Sequence, residues 1–501
     1  MTDNGKKVLQ SGIWYTISSI AIRAVAIITS PIYTAMLTTA DYGIANTFNS
    51  WIEIFNIFTC LCVVYSIGRA KLDFGDRFDE YLSSLQGLSS SFAAIVLVFA
   101  VLFRKQISAW IGYEVPLVIV LFVYLTVFPS VEYMLQKCRY EYKYKQNILI
   151  SLITCIGTVA FSILLMLLFN DRRYIGKIIG SILTTFLLGI CFYVRLLKRG
   201  KKFFHKEYWI YALKFGLPMI PHALALVVLA QIDRIMIKSI CGESDAGLYI
   251  YGYGFATLLM IFTNAIGQAW LPWFNQELHA EHREPIRRYQ KKLVLLGVFL
   301  TIGFITVAPE ALMILAPRGR AYWIAKWVVP PVALGALAQY FYTNYVNVEL
   351  FHKKTPIIAV SSILAAALNF GLNWIFIPRF GYIAAAYTTF ASYLFLMLFH
   401  FIATRFVLKE KVYADLFMFI AMGVTTAVCL AITRFYWNAV DGEESVSVVP
   451  GCPMMPVRYM PIMRYGLMFL TLGIFAIVKR HDIMLLFDYI KKRYLKKGAK
   501  T

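Results

Sequence analysis

The chain has 501 residues, of which 59% are hydrophobic and 15% are charged, whereas an ordinary soluble domain carries roughly a quarter charged residues. A soluble core cannot bury that much apolar surface, so the composition excludes a water-soluble globular protein. The formal charge of +22 favours a nucleic-acid partner only if the basic residues share one surface.

Apolar runs recur along the whole chain, and each is long enough to cross a bilayer as a helix. The first run follows Lys6 and Lys7, contains Arg23 and lacks a small-residue cleavage site, so we expect the N-terminal segment to be retained. About fourteen spans are predicted from these runs. They lie near 11–37, 42–65, 82–103, 115–134, 147–169, 174–194, 209–237, 247–273, 293–315, 324–351, 356–377, 382–404, 414–434 and 460–478.

The spans fall into groups separated by basic connections. Six of them precede the connection 195–206, six follow it, and two more complete the chain. The pattern predicts an all-α membrane protein with an N-terminal lobe in residues 1–200 and a C-terminal lobe in residues 201–408. Two further helices and a basic tail occupy residues 409–501.

A short repeat suggests that the two lobes are related. Asp41-Tyr42-Gly43 opens the second span and Asp245-Ala246-Gly247 opens the eighth, and an acidic residue can cap each helix start. The two motifs lie an even number of helices apart, so a parallel repeat with an axis along the membrane normal is predicted. The alternative is two unrelated helix caps.

The basic residues are distributed unevenly between alternate connections. If the N-terminus is cytoplasmic, about two thirds of the lysines and arginines fall on the cytoplasmic side, chiefly in 137–145, 195–206, 283–292 and 479–500. Cytoplasmic loops of membrane proteins carry this excess, so both termini are predicted to be cytoplasmic. Anionic headgroups suffice as partners for these loops, and no nucleic acid is expected.

Polar side chains recur at helical spacing within several spans. Arg23 shares a face with Thr16, Ser19 and Ser30, and a charge at that depth costs roughly 2.5–3.5 kcal/mol. The pattern predicts the lining of a water-filled cavity, although the amides could instead join helices and Arg23 could pair structurally with Glu53. The other stripes are Asn46, Asn49, Glu53 and Asn56; Thr257, Asn264 and Gln268; Gln339, Thr343 and Asn347; and Ser362, Asn369 and Asn373.

The seventh span carries Pro218 and Pro221 three residues apart. Prolines so placed kink or break a helix, and a kinked helix is a candidate gating element. His222, which follows Pro221 in the same span, is expected to have a packing role.

The sequence gives few signals of enzymatic chemistry. It contains no Gly-x-x-x-x-Gly-Lys, His-Glu-x-x-His or Gly-x-Ser-x-Gly motif, so no cofactor and no catalytic residue are predicted. His279, Glu281, His282 and Glu284 have loose spacing that favours a solvated surface over a metal site. Cys241 and Cys452 both fall on the outer side, but their spacing does not predict that they pair.

Several short segments of the chain resemble those of a known family. The run at 213–222 (Leu-Lys-Phe-Gly-Leu-Pro-Met-Ile-Pro-His), Asp233-Arg234, Gly247-Leu248-Tyr249 and 268–272 resemble the polysaccharide and oligosaccharide flippases. Their superfamily also contains multidrug antiporters and lipid II flippases. The segments 373–378 and 381–386 resemble the family's eleventh and twelfth spans.

The resemblance implies two six-helix lobes around a central cavity and export of a polyprenyl-diphosphate-linked oligosaccharide by alternating access. Arg23 and Arg234 match positions where the family places cations, which suit a diphosphate, and Lys214 is expected to assist. Glu53 and Asp233 become candidates for coupling to H⁺ or Na⁺. Amide partners for sugars are expected among Asn46, Asn49, Asn264, Gln268, Asn369 and Asn373.

The resemblance also places the protein in the bacterial cytoplasmic membrane, alongside other polysaccharide-assembly proteins. Three alternatives remain open at this point. One is a cation-coupled drug or small-molecule antiporter of the same superfamily, whose cavity should be anionic. The others are a membrane-embedded polysaccharide-assembly enzyme and a scaffold that transports nothing.

Overall fold

The computed structural model describes residue 22 and residues 24–141, 143–436, 445–446, 455–456 and 459–478. The predicted positions Lys6, Lys7, Arg23 and Cys452 lie outside these residues. The described chain is almost entirely helical. Its two-residue strands β1 (Ser445–Val446) and β2 (Met455–Pro456) pair antiparallel.

The helices follow one another with short connections. In chain order they are α1 (Ala24–Met36), α2 (Thr39–Cys60), α3 (Ile67–Phe74), α4 (Phe78–Leu102), α5 (Arg104–Ile111), α6 (Val115–Tyr140), α7 (Tyr144–Leu168), α8 (Arg173–Gly200), α9 (Lys206–Ile240), α10 (Glu243–Ala256), α11 (Leu258–His279), α12 (Arg283–Leu315), α13 (Val329–Phe351), α14 (Thr355–Phe380), α15 (Tyr382–Ile402), α16 (Asp415–Thr433) and α17 (Met460–Val478). Short 3₁₀ segments occupy Val63–Ser66, Gly75–Arg77, Asn170–Arg172 and Arg320–Trp327, and a π-turn follows α15 at Ala403–Val407.

The predicted all-α membrane fold is confirmed. Each predicted span from the second to the fourteenth coincides with described helix, α10 and α11 together forming the eighth. Judged by length and hydropathy, 10 helical segments of the described chain can cross a membrane, or 11 if Arg320–Trp327 and α13, bent by 48°, form one span. The number fourteen stays a prediction.

Two helix details refine the sequence reading. α9 runs unbroken from Lys206 to Ile240 with Pro218 and Pro221 inside it, so the prolines do not break the helix. At the start of α2 the N-cap is Thr38, whose hydroxyl accepts a hydrogen bond from the Asp41 backbone N–H at 3.1 Å while the Asp41 carboxylate accepts from the Thr38 backbone N–H. The predicted acidic residue therefore completes a capping box.

The chain packs as two compact units, neither of which is continuous in sequence. The first unit contains the described residues up to Tyr251 together with Met313–Tyr322 and Lys354–Leu396. The second contains Gly252–Leu312, Trp323–Lys353 and the described residues from Met397 onward. The lobes expected at residues 1–200 and 201–408 stay a prediction.

The first unit has an apolar core and an apolar outer surface. Phe48, Leu121 and Phe122 are at most 2% exposed in the core between α2 and α6. On α7, Leu149 and Ile156 are 58% and 59% exposed. An apolar side chain so exposed is stable against lipid and costly against water, as expected for a membrane span.

Two pairs of oppositely charged side chains lie inside the second unit. The Nδ1 atom of His400 on α15 lies 2.9 and 3.0 Å from the two carboxylate oxygens of Glu349 on α13, and both side chains are almost wholly buried. The guanidinium of Arg464 on α17 binds the Glu310 carboxylate on α12. Pairing of this kind is what makes intramembrane charge tolerable.

Candidate functional site

A buried carboxylate forms the centre of a polar cluster in the first unit. Asp233, in the second half of α9, is 2% exposed. Its Oδ2 atom accepts hydrogen bonds from the hydroxyls of Tyr249 on α10 and Thr389 on α15, both at 2.6 Å. Its Oδ1 atom accepts from the Asn373 amide on α14 at 2.5 Å. Three donors from three helices thus face one carboxylate.

The cluster continues into α14 and α15. The Asn373 amide also donates to Oδ1 of Asn369 at 3.2 Å, and the Thr388 hydroxyl donates to Oδ1 of Asn373. Asn369 and Asn373 are both 0% exposed, so in this conformation they contact Asp233 and its neighbours rather than an open cavity. The arrangement directs one amide and two hydroxyl donors at a carboxylate, so a proton or a cation binds Asp233 only in competition with those donors.

The opposite side of α9 makes a second polar junction. Gln231 accepts a hydrogen bond from the Ser50 hydroxyl at 2.9 Å and donates one to the Glu53 carboxylate at 2.6 Å. Both partners lie on α2. Because residues two apart on a helix point to different sides, Gln231 ties α9 to α2 while Asp233 ties it to α10, α14 and α15.

Glu53 also lines a cavity between α2, α6 and α9. The cavity has a volume of about 390 Å³, and its other polar lining includes Asn56, Tyr65 and Glu132. Among the described residues, two carboxyl groups and no lysine or arginine line this cavity. Sequence reasoning missed Glu132, because it stands at the end of the predicted span 115–134 beside the basic connection 137–145.

The remaining predicted site residues are spread over the first and second units. Asn46 donates to its own helix, at the Tyr42 carbonyl, over 2.8 Å, and Asn49 is half-buried. Arg234 is half-buried, beside Asp233 in the chain. Lys214, Asn264 and Gln268 are exposed.

Sequence reasoning therefore selected Asp233, Asn369 and Asn373 and missed Thr388 and Thr389. A threonine inside a helix commonly bonds its own preceding turn, so its presence gives no signal of a partner on another helix.

The two repeated motifs meet in the structure. A Cβ atom added to Gly43 on α2 would lie 2.0 Å from the Glu243 carbonyl oxygen, and one added to Gly247 on α10 would lie 1.9 Å from the Thr39 carbonyl oxygen. The hydroxyls of Thr39 and Ser244 are 2.7 Å apart beside this crossing. The contact is reciprocal, and only glycine permits so close an approach of the two helix starts.

Three tyrosines pack next to the glycine crossing. The ring of Tyr42 packs edge-on against Tyr251 at 6.2 Å and against Tyr322 at 5.7 Å. The Tyr322 hydroxyl donates to the carbonyl oxygens of Leu37 and Thr38 at 3.1 and 2.9 Å. This end of the first unit is therefore closed by backbone contacts and by aromatic side chains.

Comparison with known proteins gives the family. The family model for "polysaccharide biosynthesis protein" matches residues 8–277. A relative from Haemophilus influenzae, named only as an uncharacterized membrane protein, is 22% identical over 366 residues, covering 71% of this chain and 87% of the relative.

Solved structures share the fold. The lipid II flippase MurJ in an inward closed conformation matches with a TM-score of 0.70 and 14% identity, covering 94% of this chain and 100% of that one. An inward-facing multidrug resistance MATE family transporter of the MOP superfamily matches with a TM-score of 0.57 and 11% identity, over 82% of this chain and 99% of that one. The fold is therefore shared with a solved flippase and a solved transporter. The chain belongs to the polysaccharide biosynthesis protein family and is a multi-pass membrane protein with the fold of MurJ and the MATE transporters.

Proposed function

We propose that this protein is a flippase that moves a polyprenyl-diphosphate-linked oligosaccharide from the cytoplasmic to the outer leaflet of a bacterial cytoplasmic membrane, for assembly of a cell-surface polysaccharide. The observation that carries the proposal is the family match over residues 8–277 in a chain whose fold is that of a lipid II flippase. Both termini are cytoplasmic in this proposal, as the loop charges predict.

The diphosphate is bound by cations in a water-filled path. Arg23 and Arg234 supply guanidinium groups, which bind phosphate oxygens through paired hydrogen bonds, and Lys214 supplies a further positive charge. Asn46, Asn49, Asn264 and Gln268 offer amides to the sugars. Since a diphosphate is strongly hydrated, these groups replace the water that it loses inside the bilayer.

Coupling to an ion gradient is assigned to Asp233, with Glu53 as a second candidate. Asp233 is buried and accepts hydrogen bonds from Tyr249, Thr389 and Asn373. Asn373 also donates to Asn369 in this conformation. A proton or a sodium ion that binds there changes the charge between four helices. Such a change favours one arrangement of the helices over another.

The glycine crossing supports alternating access. Gly43 and Gly247 bring the starts of α2 and α10 into backbone contact. A contact that depends on the absence of two side chains, and not on covalent continuity, can close in one state and open in the other. The loop charges place this crossing at the outer face of the membrane. The structure would then represent a state of the transporter that is closed toward the outside.

Reconstitution tests the proposal directly. Purified protein in lipid vesicles is given lipid-linked oligosaccharide labelled on the sugar, and the label that becomes accessible in the opposite leaflet is measured over time. We expect transport by wild type and a loss of roughly tenfold or more in Arg23→Ala and in Arg234→Ala, because each removes charge-assisted hydrogen bonds worth about 1.5–3 kcal/mol. Arg104→Ala, on the exposed end of α5, is the matched control and should transport normally.

Two outcomes of that experiment would be adverse in different ways. If wild type leaves the label in its original leaflet, the flippase assignment is wrong. If wild type transports and both arginine variants keep its rate, the function stands and the cation assignment falls.

A second candidate function, export of organic cations, is favoured by one observation. Among the residues that the structure describes, Glu53 and Glu132 line the cavity beside α2 and no lysine or arginine does, which suits a cation better than a diphosphate. The same vesicles loaded with a fluorescent organic cation separate the two functions. Cation efflux that depends on Glu132, with no movement of the glycolipid, would favour the exporter.

A further inference from the structure

The second unit holds a cavity that none of the proposed roles uses. It lies between the last turns of α11 and α13 and has a volume of about 610 Å³, within the usual range for small-ligand sites of roughly 300–1,000 Å³. Its polar lining comes from three amides and one imidazole, and two leucines and a phenylalanine supply apolar surface. These residues are Asn275, Gln276, Asn347, His279, Leu271, Leu350 and Phe351.

One of these amides is buried without a protein partner. Asn347 is 7% exposed and lines the cavity, and among the described residues its side chain has no hydrogen-bond partner. Asn344, one turn earlier on α13, shows the contrast, since its amide donates to the Tyr340 carbonyl at 2.9 Å. The Asn347 amide therefore stays available for a hydrogen bond with a group inside the cavity.

The lining selects the chemical class of that group. An amide both donates and accepts hydrogen bonds, and so does a hydroxyl. Within the part of the chain that the structure describes, no lysine, arginine, aspartate or glutamate lines the cavity, so these residues offer no counter-charge to a phosphate. Leu271 and Leu350 can cover the C–H faces of a sugar ring. A neutral, hydroxyl-rich ligand fits this combination.

We propose that this cavity binds the sugar portion of the lipid-linked cargo before translocation. The proposal rests on the proposed flippase function and adds to it a sugar subsite at the cytoplasmic ends of α11 and α13, where the loop charges place the basic connection 283–292. Asn347 and Asn275 bond the hydroxyls from two different helices, and His279 closes the subsite at the aqueous end. The diphosphate remains outside the subsite.

Saturation-transfer NMR on the full-length protein in nanodiscs tests the subsite. The probe is the free oligosaccharide mixture released by mild acid from the lipid-linked pool of the host membrane. We expect saturation transfer from wild type, and affinity lower by roughly three- to tenfold in Asn347→Ala and in His279→Ala, the effect of one lost hydrogen bond. His282→Ala is the matched control, because His282 is an exposed histidine three residues further on that contacts Glu277 instead.

Each result decides a separate point. Absence of transfer from wild type, or equal transfer from wild type and both cavity variants, overturns the sugar subsite. His279 is exposed, so His279→Ala remains informative if Asn347→Ala does not fold. Vesicle transport without sugar binding leaves the flippase intact and removes the subsite, whereas sugar binding without vesicle transport keeps the subsite and removes the flippase.

Discussion

At the scale of single residues, Asp233 has the most unusual environment among the predicted site residues. A charge in the middle of a membrane helix costs roughly 2.5–3.5 kcal/mol, and three hydrogen bonds from Tyr249, Thr389 and Asn373 offset that cost. All three partners are donors, so the cluster is arranged for an acceptor at its centre. A proton or cation that arrives there must compete with those donors.

Replacement of Asp233 tests its part in coupling. In Asp233→Asn an NH₂ group replaces one carboxylate oxygen and faces a donor, so the charge and one of the two acceptor oxygens are lost. We expect the transport rate in vesicles to fall by about tenfold or more. The residual rate should be the same with and without an imposed H⁺ or Na⁺ gradient. Asp171→Asn, on the exposed connection before α8, should respond to gradients as wild type does.

A result opposite to this is simple to recognise. If Asp233→Asn transports at the wild-type rate and keeps the same gradient dependence, Asp233 is a structural residue and Glu53 becomes the remaining candidate for coupling.

The residue types of the Asp233 cluster differ in how well the sequence alone predicts their part in a site. Asp233 stood out because an intramembrane carboxylate is rare, and Asn369 and Asn373 stood out by their helical spacing. Thr388 and Thr389 did not, because threonine is common in membrane helices and usually bonds its own turn. The partner of each residue depends on packing between helices 140 or 156 positions apart, which local periodicity cannot show.

At the scale of elements, the start of α2 crosses the start of α10. The sequence predicted the relation between the two motifs from Asp-x-Gly alone and assigned the acidic residues to helix caps. It did not predict that the two glycines would meet, because close packing of two helices depends on what the glycine faces and not on the glycine itself.

Cross-linking tests whether the crossing opens and closes. In a Thr39→Cys, Ser244→Cys protein we expect ready disulfide formation, since the two native hydroxyls are 2.7 Å apart. Adding Gly247→Ala should lower the cross-linking rate by about fivefold or more, the effect of roughly 1–3 kcal/mol of overpacking, because its Cβ would meet the Thr39 carbonyl. Loss of thiol labelling by maleimide measures the cross-link.

Gly423→Ala on α16 is the control, because a Cβ at that position meets no atom within 4 Å. Unchanged cross-linking in Gly247→Ala would mean that the helices tolerate the added methyl, and the crossing would then not act as a closing contact.

At the scale of the whole molecule, loop charge predicts the orientation in the membrane. The connection around Lys202 is predicted to be cytoplasmic, and the segment around Lys105 is predicted to lie outside. Native Cys241 is a poor reporter of the outer side, because burial and the nearby Asp245 carboxylate raise the pKa of its thiol. A raised pKa leaves the thiol protonated at neutral pH, and its reaction with maleimide accelerates only as the pH rises.

Engineered cysteines test the orientation. In a cysteine-free background, Lys105→Cys should react with a membrane-impermeant maleimide on intact cells, and Lys202→Cys should react only after permeabilisation. Both sites are exposed. Labelling in the reverse order would place the basic connections outside and would contradict both the topology and the direction of transport proposed from it.

The overall fold was more predictable than the grouping of its helices. Apolar runs mark each span because the bilayer demands roughly 20 apolar residues from any helix that crosses it. By contrast, the first compact unit combines the chain up to Tyr251 with Met313–Tyr322 and Lys354–Leu396. No feature of hydropathy distinguishes a helix that packs with its neighbours in sequence from one that packs with distant helices.

The hydrogen bonds of Asp233 also set an order of events during biosynthesis. Thr389 lies 156 residues after Asp233, and at about 5–20 residues per second a ribosome needs on the order of ten to thirty seconds to add them. For that interval the newly inserted carboxylate lacks two of its three donors. The nascent protein must therefore hold Asp233 protonated, hydrated or against the insertion machinery until α14 and α15 enter the bilayer.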